Sequence, residues 1–436
     1  MAQLFAAQFP QNINTNLIYD TEKEYYRPFK DTDFFGGTSI TNSSKDAFGR
    51  QRVSNPFTLF DSSHRFKDNN LWSTATTGTA SATFDANEGL VDLTVDNNIN
   101  SEVVRETTKV FSYQPGKSLL IMNTFVMQPA KTGLRQRVGY YGDSNGIYLE
   151  LANSTLYIVK RSSVSGVLIE TRIAQSSWNN DSLDGTGYSG VTLDISKAQI
   201  LYADIEWLGV GCVRVGFVIG GQYLLCHVFY HANEITSTYI TTASLPLRYE
   251  IKNTAATSGS STLKQICSTV ISEGGYELRG LQQGIGTSIT APKALATAGT
   301  YYPVISIRLK STALDGIVVM TALSVMGVAN GVNYNWQIRA SGTTTGGSWT
   351  SAGSDSAIEY NLGGTSFSGG RILASGFLNS SNQGSPSIDV LREALFKFQL
   401  ERNGLTSTPY ELTLVVAAGS VNETVFASMD WEEVSR

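Results

Sequence analysis

The chain has 436 residues, of which 41% are hydrophobic and only 16% are charged, and its formal net charge is −5. Its length exceeds that of one compact core, so two or more domains are expected. No run of Lys or Arg is dense enough to neutralise several phosphates, which argues against nucleic-acid binding. No apolar stretch reaches the roughly 18 residues of a transmembrane helix, so membrane insertion is not expected.

Residues 1–55 show no sustained helical or strand period, but they are rich in aromatic side chains. That composition is unlike a disordered segment. We expect an extended N-terminal arm that attaches the protein to a neighbouring subunit or another partner; the alternative is an irregular segment packed on its own domain. The candidate contact residues of the arm are Tyr25, Tyr26, Phe29, Phe34, Phe35, Phe48, Arg50 and Arg52.

Residues 56–285 carry the signals of β-strands. Three short segments with turns between them predict a meander: Ile147–Leu151, Leu156–Lys160 and Val167–Ile173. Further along, Gly220 and Gly221 separate two apolar segments and predict a tight hairpin, because both turn residues tolerate a positive φ. The second arm of this hairpin, Tyr223–Tyr230, is nearly apolar on both faces and predicts a strand in the middle of a sandwich.

A run of small residues between Gly280 and Gly299 predicts a linker. Residues 286–436 again show strand signals, interrupted by a long loop at Ser341–Ser356 and by one or two helical turns at Val390–Leu395. The sequence therefore predicts an all-β protein of two β-sandwich, jelly-roll-like domains, residues 56–285 and 286–436, behind the arm.

The three cysteines, Cys212, Cys226 and Cys267, lie in apolar segments of the first domain. An odd number in such surroundings predicts buried free thiols rather than a disulfide framework. Free thiols fit synthesis and assembly in a reducing cytoplasm.

No complete catalytic or metal-binding constellation is visible. His227 and His231 have the spacing of a helical zinc motif, but they fall in a strand, where about 13 Å would separate them along one face. The acidic candidates for paired-carboxylate chemistry, which we expect to be solvated or hydrogen-bonded instead, are Asp143, Asp181, Asp184 and Glu206. We expect no enzyme activity, no metal and no cofactor.

Four aromatic residues in or near loops rich in Gly, Ser and Asn could stack on sugar rings: Trp178, Tyr188, Trp336 and Trp349. The alternative is that these side chains anchor loops on the ends of the sandwiches.

Four segments resemble a widespread set of structural proteins from tailed bacteriophage particles. The segments are Asp46–Ser54 with Thr58–Ser62, Glu206–Gly211, Cys226-His227 with His231–Asn233, and Ile266–Tyr276. They cover roughly residues 46–280, and as a set they are quite specific. The resemblance implies a virion component without a catalytic motif.

The leading hypothesis is an external, self-associating structural protein of the virion, assembled in the host cytoplasm, with a trimer favoured. A tail, neck or fibre appendage is preferred over a capsid decoration protein, because two β domains behind an N-terminal arm suit a fibre-like protein. A module that binds host-surface carbohydrate is the second hypothesis. An enzyme that degrades polysaccharide is the third, although the solenoid repeats common in such enzymes are absent.

Overall fold

The computed structural model describes residues 17–20, 25–28, 55–380 and 398–435. Their regular structure is β throughout, apart from two single 3-10 turns at Gln175–Ser177 and Ser311–Ala313, and the sheets are antiparallel. The all-β sandwich architecture expected from the sequence is therefore confirmed. None of the described residues forms a helix long and apolar enough to cross a membrane.

The chain divides into two compact units, Met1–Asn55 and Pro56–Arg436. In the first unit, β1 (Leu17–Asp20) pairs with β2 (Tyr25–Pro28) in an antiparallel hairpin. This hairpin lies in a segment whose sequence shows no sustained strand period, and it places Tyr25 and Tyr26 in β2. The other arm residues proposed for contacts lie outside the described residues: Phe29, Phe34, Phe35, Phe48, Arg50 and Arg52.

The second unit begins with a sandwich of two large sheets. The first sheet has seven strands in the order β12 (Ile169–Ala174), β11 (Thr155–Ser162), β10 (Gly146–Ala152), β9 (Leu134–Tyr141), β16 (Leu247–Asn253), β7 (Glu102–Thr107) and β4 (Trp72–Thr77). The second sheet follows the order β15 (Gln222–Phe229), β14 (Val213–Ile219), β13 (Gln199–Ile205), β8 (Leu119–Val126), β17 (Ser261–Ser272), β6 (Leu90–Val95) and β5 (Ser81–Asp85), with β3 (Phe57–Ser63) also paired to β17.

Period-two alternation places the core of this first sandwich between its sheets. In β8 every second residue is buried, so that Leu119, Ile121 and Phe125 point inward. The predicted meander is confirmed as β10, β11 and β12, and Gly220 and Gly221, both at positive φ, close the predicted hairpin between β14 and β15.

The prediction that Tyr223–Tyr230 forms a central strand is wrong, because β15 ends its sheet. A loop covers its free edge instead. The backbone of Asn180 and Asp181 donates to the Cys226 carbonyl, and the Asn179 side chain bonds both the N–H and the C=O of Val228 at 2.8 and 2.9 Å. These bonds satisfy backbone groups of Cys226 and Val228 as a neighbouring strand would, while Gln222 and Tyr223 at the start of β15 stay exposed.

The second sandwich also has two sheets. One contains β29 (Glu423–Ser435) at its centre, with β18 (Leu281–Gly286) and β19 (Lys293–Leu295) on one side and β21 (Ile317–Gly327) on the other. The other follows the order β23 (Thr350–Ser351), β24 (Ile358–Asn361), β20 (Tyr302–Leu309), β28 (Glu411–Ala418), β22 (Asn333–Thr345) and β25 (Ser366–Asn379). A separate pair, β26 (Arg402–Asn403) and β27 (Thr408–Pro409), precedes β28.

Two sequence predictions in this region are wrong. The segment expected to be a linker forms β18 and β19, and both pair with β29. The loop expected at Ser341–Ser356 is partly the far end of β22, paired with β25 as far as Thr345↔Ser366. Val390–Leu395 lies outside the described residues. The domain boundary at residue 285 stays a prediction, because residues 56–436 form one unit with two cores.

A buried ion network, which we call the charged joint, connects the two sandwiches. Arg402 of β26 contacts Glu106 of β7 at 2.6 Å, donates to the Thr107 carbonyl at 3.0 Å, and pairs with Asp315 at 3.0 Å. Glu106 also accepts from Arg248 of the first sandwich, with Nε at 2.7 Å. Removal of Glu106 would leave the buried guanidinium groups of Arg402 and Arg248 without the carboxylate that they share.

The prediction that all three cysteines are buried holds only for Cys226. Cys212 is half-buried and Cys267 is exposed, because a β-bulge between Gln265 and Cys267 turns the Cys267 side chain to the outer face of the sheet. All three are free thiols.

Candidate functional site

The segments that carry the resemblance lie far apart in the chain but meet at one end of the first sandwich. Thr58–Ser62 belongs to β3, which pairs with the Cys267–Ser272 part of β17. Ser272 is opposite Leu119 of β8, and Leu119 is opposite Ile205, the last residue before Glu206. The first part of the first segment, Asp46–Ser54, lies outside the described residues.

The turn between β13 and β14, Glu206–Cys212, forms a fixed loop at this end. Gly211 N–H donates to the Trp207 carbonyl at 2.7 Å, and the Tyr113 hydroxyl accepts from the N–H groups of Trp207 and Leu208, both at 3.2 Å. Glycine is required at two positions: Gly209 has φ +81°, and a Cβ on Gly211 would lie 2.5 Å from the Glu206 carbonyl. The side chain of Leu208 is left exposed at the tip.

His231 of the third segment forms a hydrogen bond to the backbone of this loop. His231 Nδ1–H donates to the Gly211 carbonyl at 2.6 Å, and its ring stacks on Tyr239 with centroids 4.0 Å apart. Its Nε2 accepts from Lys160 Nζ at 3.0 Å. Burial lowers the pKa of His231, which keeps the ring neutral at pH 7.

His227 lies in β15 and His231 lies just after it, and each has partners of its own. His227 Nδ1 accepts from the Asn179 N–H at 3.3 Å, and burial together with Lys160 lowers the pKa of His227 to about 4. Among residues 17–20, 25–28, 55–380 and 398–435, no three His, Cys, Asp or Glu side chains are grouped to hold a metal ion.

A cleft of about 310 Å³ opens beside the loop; we call it the charged cleft. It is lined by Gly116, Lys117, Ser118, Asp204, Glu206, Cys212 and Arg214. Ser118 Oγ donates to Glu273 of the fourth segment at 2.7 Å, which adds a further carboxylate at its border. Burial raises the pKa of Asp204, although its hydrogen-bonded partner Arg214 opposes that shift.

Three tyrosines lie on the outer face of the same sheet, further along β13 from the charged cleft; we call them the tyrosine cluster. Tyr202 lies two residues before Asp204 on β13, and its ring meets that of Tyr223 edge to face at 5.1 Å. Gly216 on β14 provides the space, because a Cβ there would lie 2.8 Å from the Tyr202 ring. Tyr188 belongs to the loop that covers β15, and its hydroxyl accepts a hydrogen bond from the Leu225 N–H at 3.2 Å.

Of the residues proposed for sugar stacking, Tyr188 alone belongs to this cluster, with 69% of its surface exposed. Trp178 is buried against Phe217 in the first core, and Trp336 is buried in the second core, so neither offers a free face and both assignments are wrong. Trp349 is half-buried, with the Arg308 guanidinium 4.0 Å from its ring centroid.

Sequence reasoning missed Tyr202, Tyr223, Asp204 and Arg214. A usable signal was present: Gly216 stands opposite Tyr202 in the β13–β14 pair, and a glycine in a strand interior often marks a side chain lying across it.

The other acidic candidates have structural partners. Asp143 pairs with Arg248 at 2.7 Å. Asp181 accepts from the N–H groups of Leu183 and Ser189, both at 2.9 Å, and Asp184 accepts from Thr186. These bonds close turns. Glu206 is the one candidate that lines the charged cleft.

No family model matches the chain, and no curated protein matches it. Among solved structures it is similar to the Emp47p carbohydrate recognition domain, with 12% identity over 51% of this chain and 99% of that chain and a TM-score of 0.33. It is also similar to a carbohydrate esterase of the Shiga toxin-encoding bacteriophage phi24B, with 14% identity over 50% and 100% and a TM-score of 0.29. A third is peanut lectin, with 11% identity over 50% and 98% and a TM-score of 0.27. At these scores the similarity gives no basis for assigning their activities to this chain.

Proposed function

We propose that this protein is a non-catalytic structural component of a tailed-bacteriophage particle, external and self-associating, with an appendage of the tail, neck or fibre type preferred over capsid decoration. The observation that carries the proposal is the meeting of the resembling segments at one end of the first sandwich. His231 of the third segment bonds the Glu206–Cys212 loop, and the first and fourth segments pair with each other in the sheet that carries this loop.

The contacts within that unit are those of a fixed scaffold. The His231 ring and the Tyr113 hydroxyl each bond the backbone of the Glu206–Cys212 loop, and Leu208 is presented to solvent on a braced support. The charged joint supports the same role, since a buried ion network between two cores restrains their movement. An exposed apolar side chain, Leu208, on a loop with a fixed conformation is suited to a contact with a neighbouring particle protein.

The test is to find the protein in particles. Purified virions from the source that encodes this chain are analysed by quantitative mass spectrometry, and antibody-labelled particles are imaged. We expect a copy number that is a multiple of the particle's symmetry and label at one external position. Absence from purified virions, with the protein recovered free in the lysate, would contradict the proposal.

A second function is favoured by the tyrosine cluster. Exposed Tyr188 and Tyr223 lie near the Tyr202 ring, and Asp204 with its partner Arg214 lies two residues further along β13 on the same face. Aromatic rings bordering a few polar groups can hold a sugar by stacking and hydrogen bonding. We propose recognition of a host-surface glycan here as the alternative.

A glycan array with the full chain tests this alternative. We expect Tyr223→Ala to abolish any signal and Tyr230→Ala to leave it unchanged, because Tyr230 is similarly exposed but follows the end of β15. Binding that survives Tyr223→Ala would place the glycan elsewhere, and an array without signal would remove the alternative.

A further inference from the structure

We propose that the glycan held by the tyrosine cluster is a neutral, unbranched polysaccharide chain, which lies in a groove across the strands from β15 to β3. This inference rests on the alternative function proposed above and deepens it, because it names the class of glycan and the rest of its site. The groove lies on the outer face of the second sheet of the first sandwich and continues directly from the tyrosine cluster.

Two adjacent rows of outward side chains define this surface, which we call the outer groove. The register of the strands places the members of each row opposite one another across β15, β14, β13, β8, β17 and β3. Five strand spacings of about 4.8 Å give each row a length of about 24 Å. In that strand order, the first row is Tyr223, Val218, Ile200, Thr124, Cys267 and Ser63, and the second is Leu225, Gly216, Tyr202, Met122, Thr269 and Asp61.

A cavity of about 310 Å³ occupies the part of the outer groove away from β15. Its lining includes Met122, Thr124 and Ile200, together with residues of β3 and β17. The tyrosine cluster begins at the next side chain, since Tyr202 stands opposite Met122 in the pair of β8 and β13. The cavity and the tyrosine cluster are therefore two parts of one surface, and the cavity has the size of a small-ligand site.

The side chains of the outer groove suit a sugar chain without charges. Met122 and Ile200 offer apolar surface to the C–H groups of sugar rings, and the hydroxyls of Ser63 and Thr124 offer hydrogen bonds. Asp61, at the far end, is the one charged side chain of the two rows, all of which belong to the described residues. A polysaccharide with a charge on each repeat would lose hydration here without gaining partners.

The arrangement of these groups favours a chain over a single sugar and over a protein. The exposed aromatic rings, Tyr188 and Tyr223, lie at the β15 end, so a short sugar stacked on them would leave the cavity empty. A protein contact usually has a contiguous apolar centre. In the cavity, by contrast, Met122 stands opposite Thr269 and two residues from Thr124, so apolar groups alternate with hydroxyls as they do along a sugar chain.

The first experiment measures affinity against chain length. The full chain is titrated with neutral gluco-, manno- and galacto-oligosaccharides, each from the monosaccharide to the hexasaccharide. In a series that binds, we expect the dissociation constant to fall at least about 10-fold from the disaccharide to the pentasaccharide, because only the longer chain reaches the cavity.

Ile200→Glu, in the middle of the outer groove, tests the same point by substitution. It should reduce the affinity for the pentasaccharide to that for the disaccharide, since a bound sugar would desolvate the new charge. Val126→Glu is the matched control, because Val126 is half-buried on the same outer face, lies outside the two rows and stands opposite Lys264. Thermal unfolding should show that both variants remain folded.

The second experiment uses the exposed thiol of Cys267, which lines the cavity. With the pentasaccharide at about ten times its dissociation constant, alkylation of Cys267 should slow about 10-fold, because only the free protein reacts. Cys212 lies outside the outer groove and should react at an unchanged rate. The disaccharide should not protect Cys267, and Tyr223→Ala should remove the protection by the pentasaccharide.

Affinity that does not depend on chain length but is lost in Tyr223→Ala would overturn this inference and leave the alternative function standing. Pentasaccharide binding without protection of Cys267 would have the same meaning, since the chain would then run elsewhere. Absence of binding to every series would overturn both. Loss of self-association in Ile200→Glu would show a protein in the outer groove and would overturn the inference as well.

Discussion

The two sandwiches differ in the structure that surrounds a long edge strand of each. In the first, β15 is an edge strand that a loop covers, with the Asn179 side chain bonding both backbone groups of Val228. In the second, β25 is more than half again as long, β22 is its strand neighbour in the described part of the chain, and Phe377 is exposed. In the first sandwich a loop therefore meets the hydrogen-bonding demand of an edge strand that a neighbouring strand would otherwise meet.

The contrast teaches that burial pattern alone does not tell a central strand from a covered edge. β15 is buried along most of its length because a loop replaces the missing neighbour. β25 is mostly exposed, although it pairs along its whole length with β22. The exposure of a strand therefore reports what covers its two faces and its free edge together.

The largest effect is expected from breaking the connection between the two sandwiches. Glu106→Leu would leave Arg402 and Arg248 without the carboxylate that they share, and should destabilise the protein by about 3–5 kcal/mol. In urea unfolding, the single transition expected of the unaltered chain should separate into two. Asp143→Asn, an exposed partner of Arg248, is the control and should cost no more than about 1 kcal/mol. A single unshifted transition in Glu106→Leu would show that the joint does not couple the cores.

The next effect comes from uncovering the protected edge. Asn179→Ala removes both side-chain bonds to the buried Val228 backbone and should cost about 2 kcal/mol. It should also give the first sandwich an open edge, seen as stronger concentration-dependent association than that of the unaltered chain. Asn180→Ala is the milder comparison, because it keeps the Asn180 N–H bond to Cys226 and removes only the side-chain bond to Asn179 Oδ1 at 2.9 Å, so both Asn179 bonds to Val228 remain. Unchanged stability and association in Asn179→Ala would contradict this view of the loop.

A third difference is expected on acidification, because all three histidines belong to the first sandwich. Burial, aided by Arg105 and Lys160 respectively, lowers the pKa of His64 and of His227 to about 4, below the 6.5 of an unfolded chain. The unfolded state therefore binds more protons between these values. The stability of the first sandwich should fall as the pH falls from about 6.5 towards 4.

This pH effect is measured by urea unfolding at pH 7 and pH 5, with proteolytic cleavage sites assigned to each sandwich. The first sandwich should lose stability over this interval more than the second. The double variant His64→Gln with His227→Gln should reduce the difference, since glutamine does not titrate. An equal loss in both sandwiches would show that the histidines are not its source.

The smallest effect concerns thiol reactivity and leaves stability unchanged. Under native conditions Cys267 should be alkylated first and Cys226 last, since Cys226 is buried and burial raises the pKa of its thiol to about 12. Mass spectrometry of the alkylated peptides gives the order of reaction, and in denaturant the three cysteines should react at similar rates. Alkylation of Cys226 as fast as Cys267 in the native protein would contradict the described first core.

The sequence by itself determined the all-β class, the β10–β12 meander and the hairpin at Gly220 and Gly221. These features depend on neighbours in the chain: a period of two, and turn residues that accept positive φ. The same local patterns wrongly predicted a central position for β15. They also predicted a linker where β18 and β19 form, because a run of small residues has the same composition in a solvated linker and in a paired strand. Trp178 and Trp336 also looked like loop residues, although they pack into the cores.

Only the tertiary structure decided which distant residues meet. The charged cleft joins Lys117, Asp204 and Arg214, the tyrosine cluster forms over Gly216, and Arg402 reaches Glu106 across nearly 300 residues. The order and register of the strands determine these contacts, and the hydrophobic period of a single strand predicts neither. The edge position of β15 belongs to the same class, because a strand is an edge only through its place in the order of the assembled sheet.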